Sequence, residues 1–390
     1  MIATRALISP LALFGVAAVG ATAALVPMTA PGSGSAADMV SSDAALAAAI
    51  ARAKGAATIR VAPGRYGPLQ IGKSDRVGQL TIESADPQRP ASFSRLVIAG
   101  TYDVTVRNVA VERRSGEPLM TELIFLRNAQ RLVLDGLQVT GPREAERGRE
   151  YGMMIRGVED VRIANSTFSG TRYGIGMLQS RGVTLERNEL FDLETDGIRG
   201  GGVNELRIIG NVLGRFTPKA GAHPDGIQLW STREKVPAVD IEIRDNLIVR
   251  DGGGIVQGVF VRDTKLQLPF QKLRITGNLV IGGMYNGVAV QGATGAVVTG
   301  NEVIAMPDQK SWIRVQGVQG GELADNRAME FVIKDSSVQQ SRNKRIGPMR
   351  RDFFKPIQLW WRARAETLGT PGPYARQLMG PTGTVDPSAS

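Results

Sequence analysis

The chain has 390 residues, with 47 Lys and Arg against 37 Asp and Glu, 47 glycines, one histidine and no cysteine, and it is 42% apolar and 5% aromatic. That apolar share suffices for a sizeable core, while the absence of cysteine excludes disulfides, thiolate metal sites, iron–sulfur clusters and a thiol nucleophile. One histidine, His223, excludes polyhistidine metal centres, and a formal charge of +10 points to a polyanionic partner: nucleic acid, an anionic membrane or an acidic polysaccharide.

In chain order, residues 1–37 come first: a lone cation, Arg5, then an uncharged run from Ala6 to Ala37. This reads as an export signal with Ala21-Thr22-Ala23 as its cleavage site, or, since the run is long enough to span a bilayer, as an uncleaved membrane anchor. Either reading makes the protein exported, periplasmic or extracellular. An exported protein has little reason to bind nucleic acid, so the expected partner is an acidic polysaccharide.

Ser41, Ser42 and Asp43 precede Ala44–Lys54, an Ala-rich helix with Leu46 and Ile50 on one face, ended by Gly55. It is expected to close the open end of a first coil beginning at Ile59–Val61 and the turn Pro63–Tyr66. Further on, an apolar-x-apolar pair followed by Asn recurs at Asn165, Asn188, Asn211, Asn246, Asn278, Asn301 and Asn326, at spacings of 23 to 35 residues. In step with it runs a second column: YGM at Tyr151, YGI at Tyr173, DGI at Asp196 and Asp225, GGI at Gly253, NGV at Asn286 and SWI at Ser311. Short β-branched strands at this period, without helical periodicity between them, are what the stacked coils of a solenoid require. The predicted fold is all-β: a parallel β-helix over 38–345 with an N-terminal capping helix. The recurrent Asn is expected in left-handed conformation at a corner, its amide bonded to the same Asn of the next coil. Gly200–Gly202 and Gly252–Gly254 read as sharp corners. Residues 346–368, with Phe353, Phe354, Ile357, Leu359, Trp360 and Trp361, are expected to pack as an aromatic cap on the last coil, and 369–390 to form a loose tail. A monomer is expected.

The stretch AALAAAIARAKGAATIRVAPGRYGPLQI, then LTIESADPQRPASFSRLVIAG, then the Asn-bearing coils resembles secreted pectate-lyase-like β-helix proteins, among them alginate lyases, chondroitinases and mannuronan C5-epimerases. The resemblance covers about residues 40–345 and implies that the fold is a right-handed parallel β-helix; lyases, epimerases, hydrolases and glycan binders share it.

In the YGI and DGI strands the Ile points inward, so the outward columns read Met154, Gly176, Arg199, Gln228, Val256, Ala289, Arg314 and Arg156, Leu178, Gly201, Trp230, Gly258, Gln291, Gln316. The central coils combine small residues with Arg, Gln and Trp, the composition of a sugar-binding groove. The densest constellation is Asp192, Glu194, Asp196 and Arg199 on one coil and Lys219, His223, Asp225, Gln228 and Trp230 on the next. It suits abstraction of the C5 proton of a uronate: His223 as base, Arg199 and Gln228 on the carboxylate, Lys219 or Tyr173 as acid, Trp230 stacking on a neighbouring sugar. Arg156, Arg314 and Gln291 are further candidate substrate contacts. Returning the proton to the other face of C5 would make the same residues an epimerase.

The expected activity is therefore β-elimination by a polysaccharide lyase; the alternatives are epimerase, glycoside hydrolase and non-catalytic glycan-binding scaffold. The mannuronan epimerases carry Asp-Pro-His followed by Glu or Asp, whereas this chain has the reverse order, His223-Pro224-Asp225, so their catalytic roles do not carry over. The Asp-Asp pair and Gly-His-Gly run of polygalacturonase-like hydrolases do not occur. Asp192, Glu194, Asp196 and Asp225 are candidate calcium ligands, as in calcium-dependent pectate lyases; otherwise no cofactor is expected, and Asp196-Gly and Asp225-Gly are simply turn pairs.

Overall fold

The computed structural model describes residues 39–114, 120–142, 150–350 and 352–380. The export segment or anchor expected in residues 1–37 lies outside them. Among the described residues no helix is long and apolar enough to cross a membrane.

Each coil contributes three parallel strands separated by tight bends, as in Tyr151–Arg156, Glu159–Ala164 and Thr167–Ser169, which pair in register with Tyr173–Leu178, Arg181–Glu186 and Glu189–Phe191 of the next coil. The first and second strands of the coils form one continuous 22-stranded sheet, since Tyr285–Thr299 and Ser311–Ala324 run through the bend unbroken; the third strands form a sheet of 12. The fold is a right-handed parallel β-helix, the coils as the repeat predicts and the hand as the resemblance implies. Alternation within each strand lines the interior with apolar columns, such as Met153, Ile175, Ile198, Ile227 and Val259, all fully buried.

The Asn column does form a buried ladder. The backbone N–H and the side-chain amide of Asn188 both donate to Oδ1 of Asn211, and the pattern repeats through Asn246, Asn278, Asn301 and Asn326 to Asn343. Each amide also donates to a carbonyl of the preceding coil, as Asn246 Nδ2 does to Ile208 O at 2.9 Å. Two expectations change. The left-handed residue is the one before the ladder Asn (Arg187, Gly210, Asp245, Gly277, Gly300), and Asn165 is itself such a residue, its coil placing Ser166 in the ladder.

The Gly of each YGI or DGI unit serves packing, not a turn. None of Gly174, Gly197 and Gly226 has a positive φ, and a Cβ there would stand 2.7, 2.4 and 2.8 Å from the core side chains Leu190, Leu213 and Ile248. Asp196 and Asp225 are thus not turn-pair aspartates. Gly202 and Gly252 are left-handed corners as expected, whereas Gly200 and Gly201 lie within a strand.

Helix α1 (Asp43–Arg52) starts at Ser42, whose Oγ accepts the Ala45 N–H at 3.2 Å, and lays Leu46, Ala49 and Ile50 on the first-coil core. The C-terminal helices α2 (Phe354–Arg362), α3 (Ala365–Leu368) and α4 (Pro373–Leu378) lie elsewhere than expected. They cover the outer face of the 12-stranded sheet, where Ile357, Trp360, Trp361, Leu368 and Tyr374 meet Val212, Leu247, Val249, Leu279 and Ile281. The reason is local: these third strands carry apolar residues on both faces and need a cover. Nor are residues 369–380 a loose tail. Tyr374 is fully buried, and the Glu189 carboxylate accepts the N–H groups of Tyr374 (3.1 Å) and Ala375 (2.8 Å). Residues 381–390 lie outside the described residues.

Candidate functional site

The outward face of the first sheet brings together Tyr151, Tyr173, Asp196, Arg199, Asp225, Gln228, Trp230 and Arg262. Cross-strand register does this. Gly176, Arg199, Gln228 and Phe260 are direct neighbours in one column, and Gly201, Trp230 and Arg262 in the next. The sequence had put Val256 and Gly258 in these columns; the strand actually begins at Gln257, so Phe260 and Arg262 fill them. The triple glycine Gly252–Gly254 imitates the Gly of the repeat, and Gln257-Gly258-Val259 was the unit to align. Likewise Trp312, rather than Ser311, stands opposite Asn286.

Arg199 is the hub. Its guanidinium lies over the rings of Tyr173 (4.7 Å) and Trp230 (5.0 Å) and pairs with Asp196 at 3.0 Å, while its Nε has no hydrogen-bond partner. Two glycines make this possible. A Cβ at Gly201 would stand 2.5 Å from the Trp230 indole nitrogen, and one at Gly176 2.7 Å from the Tyr151 ring, so the room left by the small residues is filled by aromatic rings. Tyr151 in turn stacks on Tyr173 at 4.5 Å, and burial pushes its phenol above the ordinary value.

Beneath the hub lies a buried carboxylate pair. Asp196 Oδ1 accepts the Asp225 N–H at 3.0 Å, and burial raises Asp196 although Arg199 draws it down. Asp225 is only 1% exposed; burial, and then the charge of Asp196, push it up to about 8. Gln228 Nε2 donates to Asp225 Oδ2, and Asp225 Oδ1 has no partner. Near neutral pH Asp225 therefore keeps its proton, and the pair holds at most one negative charge against two cations, Arg199 and Arg262.

Other sequence candidates lie outside this cluster. Asp192 is held by both Nε (2.7 Å) and an NH2 group (3.0 Å) of Arg215, which itself covers Tyr374. Glu194 faces Arg172 (3.5 Å) and Lys219 (3.3 Å). The four carboxylates thus do not fit a calcium ion, and among the described residues no group of three or more His, Asp or Glu side chains converges. His223 is exposed on the loop before Asp225 and forms no hydrogen bond or ion pair with a described residue. Arg156 lies three coils before Trp230, and Arg314 four coils beyond Arg199, with Gln291 one coil nearer; at ~4.8 Å per coil they stand about 15–20 Å off.

Residues 94–303 match the sequence profile described as "right handed beta helix region". The chain belongs to the right-handed β-helix family. No curated protein matches it. Among solved structures this β-helix protein is similar to PfbA, a surface adhesin of Streptococcus pneumoniae, at 12% identity over 80% of this chain and 88% of that one, with a TM-score of 0.50. It is similar also to a double mutant of the periplasmic alginate epimerase AlgG, at 16% identity over 79% and 89% of the two chains, again with a TM-score of 0.50. At such identities the likeness is one of fold.

Proposed function

We propose that this β-helix protein is an exported polysaccharide lyase that cleaves an acidic, uronate-containing glycan by β-elimination. The observation that carries the reading is the buried Asp196–Asp225 pair behind Arg199 and Gln228, with Asp225 Oδ1 left without a partner. With a proton on Asp225, Arg199 and Arg262 face at most one carboxylate charge and leave the site with positive charge in excess, which a uronate carboxylate completes. Arg199 and Gln228 reach the surface and hold that carboxylate, stabilising the charge that builds on it when the C5 proton leaves. His223, exposed and uncommitted two residues from Asp225, is the base; Tyr173, fixed against Arg199, is the acid that protonates the leaving oxygen. Trp230 offers the neighbouring sugar an aromatic edge.

Hydrolysis is disfavoured because neither carboxylate is presented to a glycosidic oxygen: Asp196 is tied to Arg199 and to a backbone N–H, and Asp225 is buried. Export is supported by Arg5 and the uncharged run behind it.

The test is absorbance near 235 nm with alginate, pectate, glucuronan and glycosaminoglycans, for the wild type and for His223→Ala and Tyr173→Phe. A rise on one polymer that is lost in the variants is expected. KM should increase above about pH 8, as Asp225 ionises and the excess positive charge disappears. C5 inversion without absorbance, seen by NMR, would make the protein an epimerase; binding without either would make it a glycan-binding scaffold.

A further inference from the structure

Two and three coils beyond the Asp225 strand, the same face carries a second aromatic assembly. Tyr285 and Trp312 place their rings 5.1 Å apart, with Tyr285 45% exposed. Tyr285 has a φ of 52°, a conformation costly for a bulky side chain, and precedes an irregularity in strand register at Asn286–Val288. The assembly is anchored from below: Trp312 Nε1 donates to Asn286 Oδ1 at 3.2 Å, and Asn286 Nδ2 donates to Gln257, the residue paired with Asp225. Beside it, two residues after Trp312, stands Arg314, bonded to Gln316. Tyr285 is thus a strained, half-exposed ring outside the apolar core, laid on a Trp312 that a hydrogen-bonded chain holds, with a guanidinium alongside.

We infer that Tyr285, Trp312 and Arg314 form a distal subsite that stacks a pyranose ring and pairs with its carboxylate, so that the protein binds a uronate oligomer lying along the solenoid axis. This rests on the proposed glycan reading and adds the direction and minimum length of the bound chain. From Asp225 to Asn286 is two coils, about 10 Å, and to Trp312 three, about 14 Å. The ligand must therefore extend several sugars from the reacting unit towards the C-terminal coils, which suits endo action.

The experiment is calorimetric titration with oligomannuronates, oligogalacturonates, oligoglucuronates and glycosaminoglycan oligomers from dimer to octamer, and with neutral oligosaccharides of the same lengths, on full-length His223→Ala protein to limit turnover. Tyr285→Asn removes the ring while keeping a residue that tolerates positive φ, and Arg314→Gln removes the charge. The parent should gain affinity in a step once the oligomer is long enough to reach Tyr285. Tyr285→Asn should weaken octamer binding roughly three- to tenfold and dimer binding less than about twofold. Arg314→Gln should narrow the preference for charged over neutral octamers. Affinities that grow with length identically in parent and variants would overturn the subsite while leaving the lyase reading intact. If no charged oligomer of any length binds, both are overturned.

Discussion

The two outward faces of the long sheet are built to opposite rules. On the second strands of each coil, charges meet their opposites in cross-strand pairs: Arg162 with Glu186, Arg181 with Glu205, and Arg207 with both Asp240 and Glu242. On the first strands the account is left open, with Arg199 Nε, Arg262 Nε and Asp225 Oδ1 all buried without partners and aromatic rings laid over glycines. Both faces belong to the same coils and one continuous sheet, so the difference is not one of scaffold. A face that satisfies itself needs no ligand; one that keeps a protonated acid beneath an arginine sandwich retains groups that only a ligand can complete.

Substitutions on each face separate the two rules. Arg199→Ala is expected to lower kcat/KM for elimination about a hundred- to a thousandfold, and Arg199→Lys to recover little, since an ammonium lacks the planar face that lies against Tyr173 and Trp230. Steady-state absorbance kinetics reads this, and near-normal rates in both variants would break the contrast. Asn246→Ala, at the bend between second and third strands, should cost about 3 kcal/mol in denaturant unfolding, because it strands the Asn211 N–H and the Ile208 carbonyl together.

Asp225→Asn should instead stabilise the protein. The folded Asp225 titrates about 8 against an ordinary 3.8, so ionisation is penalised by the fold: wild-type stability is fully present below pH 4, falls as pH rises towards 8, and levels off above. The variant's advantage should therefore be nil near pH 3.5 and reach about 2 kcal/mol above pH 8, well inside the limit set by a shift of this size. Melts across that range decide the matter; an advantage independent of pH would mean that Asp225 is ionised throughout. Smallest of all, Arg181→Ala on the paired face should change stability by less than about 0.5 kcal/mol and the elimination rate not at all.

Much of the fold was written in the recurring Asn and Gly columns, because a ladder and a crowded corner each admit few residue types. Stacking Asp196 against Asp225 likewise followed from spacing alone. What sequence could not supply was register through the irregular coil at Gly252–Gly254, where three glycines hid Gln257 and Arg262 from their columns. It also could not say that the glycines of the face are already roofed by Tyr151 and Trp230, or that Asp192 turns away to Arg215, since both depend on side chains meeting across coils of unequal length. The docking of α2 to α4 had a legible cue that composition masked: in Asn246-Leu247-Ile248-Val249 no residue after the Asn is polar, unlike Gln138-Val139-Thr140 earlier in the chain, whose outer positions are exposed.

The C-terminal helices have a mechanical consequence. In a bare solenoid each rung knows only its neighbours, so it can fray one rung at a time from an open end. Here a single segment grips Gly277 through Trp360, Asp245 through Arg364 and Glu189 through Tyr374 and Ala375, running back along the barrel like a splint. The rungs that carry Asp196, Asp225 and Arg262 lie within the splinted length. They should let go together, at a single force or a single temperature, and the end rungs beyond Ile304 should loosen first.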